Sequence, residues 1–226
     1  MPRSGSVDTV LPMPQDATDI APPVEVVSWI GDARRGRLRL LDQTLLPAHE
    51  AYVDCPDAQA LWEAIRRLAV RGAPAIGVAA AYGMVLAAEW IPDGPDFLTG
   101  LEAAAEYLES SRPTAVNLSW GVRRMLDRAR RTICDDYDYL RDRLLTEARA
   151  IHAEDRASCA AIGQAAAPLV DKCQSVMTIC NAGALATTGI GTATAGMYVA
   201  HALGRQVRVY CCETRPLLQG SRLTAW

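Results

Sequence analysis

Apolar and polar positions change period several times along the chain, and each change marks an element. Residues 24–30 and 37–42 are short strand-like runs, separated by a segment carrying Gly31-Asp32 and Gly36; residues 51–54 form a third, so a small N-terminal sheet is expected. From Ala58 the spacing shifts to Leu61, Trp62, Ile65, Leu68 and Ala69, one face of a helix that follows Pro56-Asp57 and stops at Gly72, delivering Arg71 to a loop. Pro74 suits the first turn of the next helix, where Ala75, Gly77, Ala79, Ala80, Ala81 and Gly83 leave room for a neighbouring backbone. Helical patterns follow at 101–109 and 118–131; Pro113 disfavours helix at Arg112 and places it in the turn between them. Residues 139–169 carry Leu140, Leu144, Ala148 and Ile151 at helical spacing, then an alanine-rich continuation expected to break at Gly163 and Pro168. A strand at 175–180, a helix at 187–203 ending before Gly204, and a strand at 206–212 complete a β-α-β unit, which implies a right-handed crossover and a parallel sheet.

This order makes the chain α/β. Residues 1–23, with five prolines among small polar residues, are expected to be a disordered arm. Residues 24–150 form an N-terminal domain with a small sheet and helices, and residues 151–226 begin a parallel-sheet domain, the boundary falling near the long connecting helix. Half of the 226 residues are hydrophobic and the net charge is -3, and the acidic balance argues against a nucleic-acid surface. No window reads as a membrane span or secretory signal, so a cytoplasmic protein is expected. Seven cysteines without a C-x-x-C pair and only three histidines suggest reduced thiols and no metal. The basic stretch from Arg123 to Arg131 reads as a solvated helix face.

The most informative stretch runs from Ser175 to Gly189, where an apolar strand ends in Cys180 and passes through small residues toward a helix. A thiol at the carboxyl edge of a parallel sheet, facing a helix start, is placed where ligands bind and where an anion is stabilised. The following strand also ends in a polar loop, Glu213-Thr214-Arg215-Pro216, which should lie on the same edge. A buried, inert cysteine is the competing reading.

Five ordered segments decide between them. Leu41-Asp42-Gln43-Thr44-Leu45-Leu46-Pro47, Arg71-Gly72-Ala73-Pro74-Ala75-Ile76-Gly77, Arg112-Pro113-Thr114-Ala115-Val116-Asn117-Leu118, Cys180-Asn181-Ala182-Gly183-Ala184-Leu185-Ala186 and Glu213-Thr214-Arg215-Pro216-Leu217-Leu218-Gln219-Gly220 resemble motifs of the methylthioribose-1-phosphate isomerase family, within the initiation factor 2B superfamily. The resemblance implies a small N-terminal α+β domain followed by the first part of a Rossmann-like parallel-sheet domain. It implies an aldose-ketose isomerase of methionine salvage that converts 5-methylthioribose 1-phosphate to 5-methylthioribulose 1-phosphate, as a homodimer, without metal or organic cofactor. Carried over residue by residue, Cys180 is the catalytic thiol, and Arg71, Gly72, Ala73, Arg112 and Gln219 contact the sugar-phosphate substrate. Arginine's planar fork suits a phosphate dianion, and a Gly-Ala backbone lets amides approach it.

The family's catalytic aspartate falls in a segment beyond Trp226. The expectation is therefore a fragment, a truncated product or half of a split protein, inactive by itself. Two rival functions stay open: a ribose-1,5-bisphosphate isomerase, which needs a further cation for the second phosphate, and a non-catalytic binding subunit like those of initiation factor 2B.

Overall fold

Alternating side chains explain the first sheet. In the computed structural model, which describes residues 20–132 and 134–226, β1 (Val27–Ile30), β2 (Arg37–Leu41) and β3 (Tyr52–Cys55) form an antiparallel meander. Val27 lies opposite Leu40, and Leu40 opposite Val53. Leu38 and Leu40 are buried, whereas Arg37 and Arg39 point the other way, where their Nε atoms donate to Asp54 at 2.9 and 2.7 Å. Of the expected disordered arm, residues 1–19 lie outside the described residues; Ile20 packs against a small apolar cluster near the other end of the chain.

Among the described residues six α-helices follow: α1 (Ala58–Arg66), α2 (Ala73–Trp90), α3 (Phe97–Ser110), α4 (Val116–Thr132), α5 (Tyr137–Val170) and α6 (Ala195–Ala202), with a short π-helix at Gly220–Thr224. Asp57 caps α1 by accepting from the Ala60 N–H at 2.8 Å. Among the described residues α2 is the one helix long and apolar enough to cross a membrane, but here it is the centre of the core, packed by α3, α4 and α5. Its small side chains have the expected use: a Cβ on Gly121 of α4 would stand 2.5 Å from the Gly77 carbonyl oxygen, so the two backbones touch.

Three expectations need correction. α5 does not break at Gly163 or Pro168 and runs for 34 residues, with position 150 inside it. Gly163 is the contact for α6, because a Cβ there would meet Val199 Cγ2 at 2.7 Å, and Pro168 falls in the last turn, so the single ladder bond it removes lies at the helix end. The arginine stretch of α4 is not simply solvated: Arg124 Nε donates to Glu147 at 2.7 Å, Arg128 also meets Glu147, and Arg130 reaches Glu102 at 2.8 Å, tying α4 to α5 and α3. The crossover helix is much shorter than 187–203, as described below. β4 (Ser175–Thr178) and β5 (Arg208–Cys211) do pair in parallel, with Thr178 opposite Cys211.

One buried group gives the stability a pH dependence. His152 of α5 lies with Nδ1 3.1 Å from the Tyr82 hydroxyl, and Tyr82 stacks on Trp29 at 5.4 Å. Burial, with Arg156 adding to it, brings the His152 pKa down to about 4. The unfolded chain takes up this proton near pH 6.5 and the folded chain does not, so stability falls as pH drops from about 6.5 toward about 4, by up to roughly 3 kcal/mol. Urea midpoints measured across this window are expected to decline in the wild type and to flatten in His152→Gln; equal slopes would contradict a neutral, buried imidazole.

Candidate active site

The loops that follow β4 and β5 leave the same edge of the parallel pair. The Cys212 N–H donates to the Thr178 carbonyl at 2.9 Å, and the Cys180 N–H donates to Thr214 Oγ1 at 3.1 Å. β4 ends at Thr178, however, so Cys180 stands two residues past the strand, exposed and in the left-handed region at φ 72°. The crossover helix does not begin beside it. Residues 184–186 make a single 3-10 turn, and α6 starts only at Ala195. The reason is local: Thr187 Oγ1 bonds the Gly189 backbone, Thr188 gives both its N–H and hydroxyl to Asp155 at 2.7 Å, and Gly191 takes φ 92°. Side-chain bonds to the backbone compete with helix at these threonines. The environment of the thiol is therefore not set by the dipole of the crossover helix.

Its positive surroundings come from elsewhere. Arg71 lies between α1 and α2 and is only 8% exposed. Burial, then the nearby Arg222 and Arg112 guanidiniums, lower its pKa, with Cys180 acting in the opposite direction. Gln219 accepts from Arg71 Nη2 at 3.0 Å and donates its amide to the Thr214 carbonyl at 2.8 Å. Arg222 Nη2 donates to the carbonyls of Leu46 and Thr44 at 2.8 and 3.1 Å. Among the described residues, none of Arg71, Arg112 and Arg222 pairs with a carboxylate. Ala73 opens α2 and is exposed, so the unpaired amides of that helix start adjoin Arg71.

Two contacts join the N-terminal motifs to the thiol loop. Gly72 has φ 99°, and a Cβ there would stand 2.4 Å from Ala186 Cα. Buried Gln43 donates to the Leu185 carbonyl at 2.8 Å. Thr224 Oγ1 donates toward the carbonyls of Ala182 and Cys180, at 3.0 and 3.3 Å. The structure thus links Arg71 to Gln219 and, through Thr214, to the Cys180 amide, and seats Gly72 against the loop that follows Cys180; Arg112 and Cys180 are near enough to Arg71 to act on its charge, and Ala73 is the next residue along from Gly72.

Sequence reasoning missed Arg222, Thr214, Thr224 and Gln43. Arg222 follows Gln219 at helical spacing, and Gln43 is an amide inside an apolar run; either could have been flagged on those grounds. Among the described residues no three His, Cys, Asp or Glu side chains are grouped to hold a metal ion. Guanidiniums that meet no carboxylate among the described residues, near an exposed thiol, are chemically suited to an anion that carries a reactive group.

Residues 69–226 match the model of the initiation factor 2 subunit family. The chain is 50% identical over 205 residues to a methylthioribose-1-phosphate isomerase of Pelotomaculum thermopropionicum, covering 90% of this chain and 56% of that protein. It is 45% identical over 206 residues to a 5-deoxyribose 1-phosphate isomerase of Moorella thermoacetica, covering 90% and 58%. Among solved structures, 5-methylthioribose 1-phosphate isomerase from Pyrococcus horikoshii superposes with a TM-score of 0.82 at 34% identity, covering 93% of this chain and 58% of the other. The delta subunit of translation initiation factor eIF-2B from A. fulgidus gives a TM-score of 0.78 at 40% identity, covering 90% and 58%. The chain spans somewhat under three fifths of the length of these relatives.

Proposed function

Because this chain belongs to the initiation factor 2 subunit family, we propose that it carries the phosphate-binding and thiol-bearing part of an aldose-ketose isomerase for 5-methylthioribose 1-phosphate. The observation that carries this reading is the set of Arg71, Arg112 and Arg222, none paired with a carboxylate, close to an exposed Cys180. A purely assembling subunit has no need of a thiol in that position. Three guanidiniums and the amides at the start of α2 suit a phosphate monoester, which presents two charges and several acceptor oxygens.

The chemistry follows from the substrate. Its anomeric carbon is locked by the phosphate ester, so the ring must open and hydrogen must pass between C2 and C1 without a free aldehyde. The arginines hold the phosphate, which places C1 and C2 toward Cys180, and Gln219 steadies Arg71. A second proton-handling group serves the ring oxygen. The relatives named for methylthioribose and 5-deoxyribose 1-phosphates share a C5 without phosphate, which favours an uncharged C5 group over a bisphosphate here too. On this reading the protein is a homodimer of the cytoplasm, acts in methionine salvage and needs no metal or organic cofactor.

Calorimetric titration with 5-methylthioribose 1-phosphate tests the binding half. Arg71→Lys and Arg112→Ala are each expected to weaken binding about tenfold or more, since a bidentate or buried contact to phosphate is lost, while urea midpoints change little. An unchanged dissociation constant removes these residues from the site. Turnover is assayed on the chain alone and on the chain joined to the remaining C-terminal segment of the Pelotomaculum relative; absence of isomerase activity in both rejects the catalytic reading.

A further inference from the structure

Among the described residues, four that are not glycine have positive φ: Leu68, Cys180, Thr214 and Leu218. Three of them belong to one hydrogen-bonded unit at the edge of β4 and β5. At φ 61°, Thr214 is a β-branched residue in a conformation such residues rarely take, and strain of this kind persists only where the surroundings impose it. The surroundings are specific. Thr214 Oγ1 accepts from the Cys180 N–H at 3.1 Å and donates to the Cys212 carbonyl at 3.1 Å, so the hydroxyl bridges the loops that follow β4 and β5. The Thr214 carbonyl accepts from the Gln219 amide, whose oxygen accepts from Arg71. On the other side of Cys180, its carbonyl faces Thr224 Oγ1 at 3.3 Å.

We infer that Thr214 is a positioning residue that fixes the distance between the Cys180 thiol and the Arg71 guanidinium. A continuous path of hydrogen bonds runs from the Cys180 amide through the Thr214 side chain and backbone to Gln219 and then Arg71. Thr224 holds the carbonyl on the other side of the same residue. Serine can make the Thr214 hydroxyl bonds and valine cannot, although valine keeps the shape. The thiol's chemical role rests on the isomerase reading, but the clamp itself is a property of this chain.

The test follows two quantities on the full chain. One is the hydrogen-exchange rate of the Cys180 amide by NMR. The other is the degree to which inorganic phosphate slows iodoacetamide modification of Cys180, read peptide by peptide against the exposed Cys134 and Cys173. Thr214→Val is expected to speed Cys180 exchange at least about tenfold, since the amide loses its acceptor. It should also abolish phosphate protection while leaving the phosphate dissociation constant and the modification of Cys134 unchanged. Thr214→Ser should restore both quantities to near wild type. Unaltered exchange and protection in Thr214→Val overturn the proposal, as does a serine variant that behaves like valine. If the wild type binds no phosphate, the isomerase reading fails and the exchange comparison alone decides the clamp. Should Thr214→Val fail to fold, Thr214→Ala is measured in the same way, and unchanged Cys180 exchange there counts against the clamp.

Discussion

Replacing Cys180 by alanine in a turnover-competent form of the protein is expected to lower kcat at least about a thousandfold, on the order of 4 kcal/mol in the barrier, with substrate affinity little changed. The size of the effect follows from what no other thiol here can supply. Burial pushes the Cys55 thiol up to about 11 and raises Cys159 and Cys211 as well. Cys134 and Cys173 are exposed but belong to other parts of the fold, after α4 and after α5. Cys180 alone combines exposure with proximity to Arg71, and its backbone is bonded on both sides. On the proposed reading the arginines hold the phosphate and sulfur does not, so kcat and kcat/KM should fall together. Steady-state rates within about tenfold of wild type would remove Cys180 from the chemistry.

The second large effect is structural. Gly72→Val is expected to destabilise the protein by about 3 kcal/mol or more and to abolish phosphate binding. Two independent costs act at this position. The backbone sits at φ 99° and ψ 135°, which side-chain-bearing residues rarely occupy. In addition, an added Cβ would overlap the Cα, carbonyl oxygen and Cβ of Ala186, at 2.4 to 2.6 Å. These are mostly backbone atoms, so no rotamer change relieves the overlap. The 184–186 turn must move away, breaking the bond between Gln43 and Leu185 and carrying Cys180 away from Arg71. Urea unfolding gives the stability, and phosphate titration gives the site; a valine variant with wild-type midpoint and affinity would show that the two segments are not in the contact described.

The helices and sheets that bury one apolar face were legible, because period and burial are the same information. The meander, α1 to α4 and the parallel order of β4 and β5 all follow from apolar spacing and punctuation by Gly and Pro. Two departures have a common cause. Gly163 and Pro168 look like breaks in isolation, but α6 needs the space above Gly163, and a helix end tolerates Pro168. Residues 187–194 look helical by composition, yet the Thr187 and Thr188 hydroxyls find partners in the loop and on Asp155. Neither outcome can be read from a local window. In the site, Cys180 stood out as a thiol closing an apolar strand and Arg71, Arg112 and Gln219 through motif resemblance, whereas Thr214 and Thr224 were given no role, since a hydroxyl that holds a backbone group has no sequence pattern of its own. Arg222 was hidden for a related reason: its partners are carbonyls of Thr44 and Leu46, far back in the chain.

Those distances along the chain bear on how the protein is made. The contacts that tie the N-terminal motifs to the second half of the chain join Gln43 to Leu185 across 142 positions and Arg222 to Thr44 across 178. At about 5–20 residues per second, a ribosome adds Arg222 roughly ten to forty seconds after Thr44. The large apolar core draws almost all its members from residues 26–151, so it closes within that interval, whereas the contacts around Cys180 wait for residues 185–224 and bear the entropy of the longest loops. A nascent chain therefore presents Arg71 and the open start of α2 before any thiol stands beside them. Pulse-labelled hydrogen exchange during refolding would register this order as early protection in α2 and α4 and late protection at Cys180.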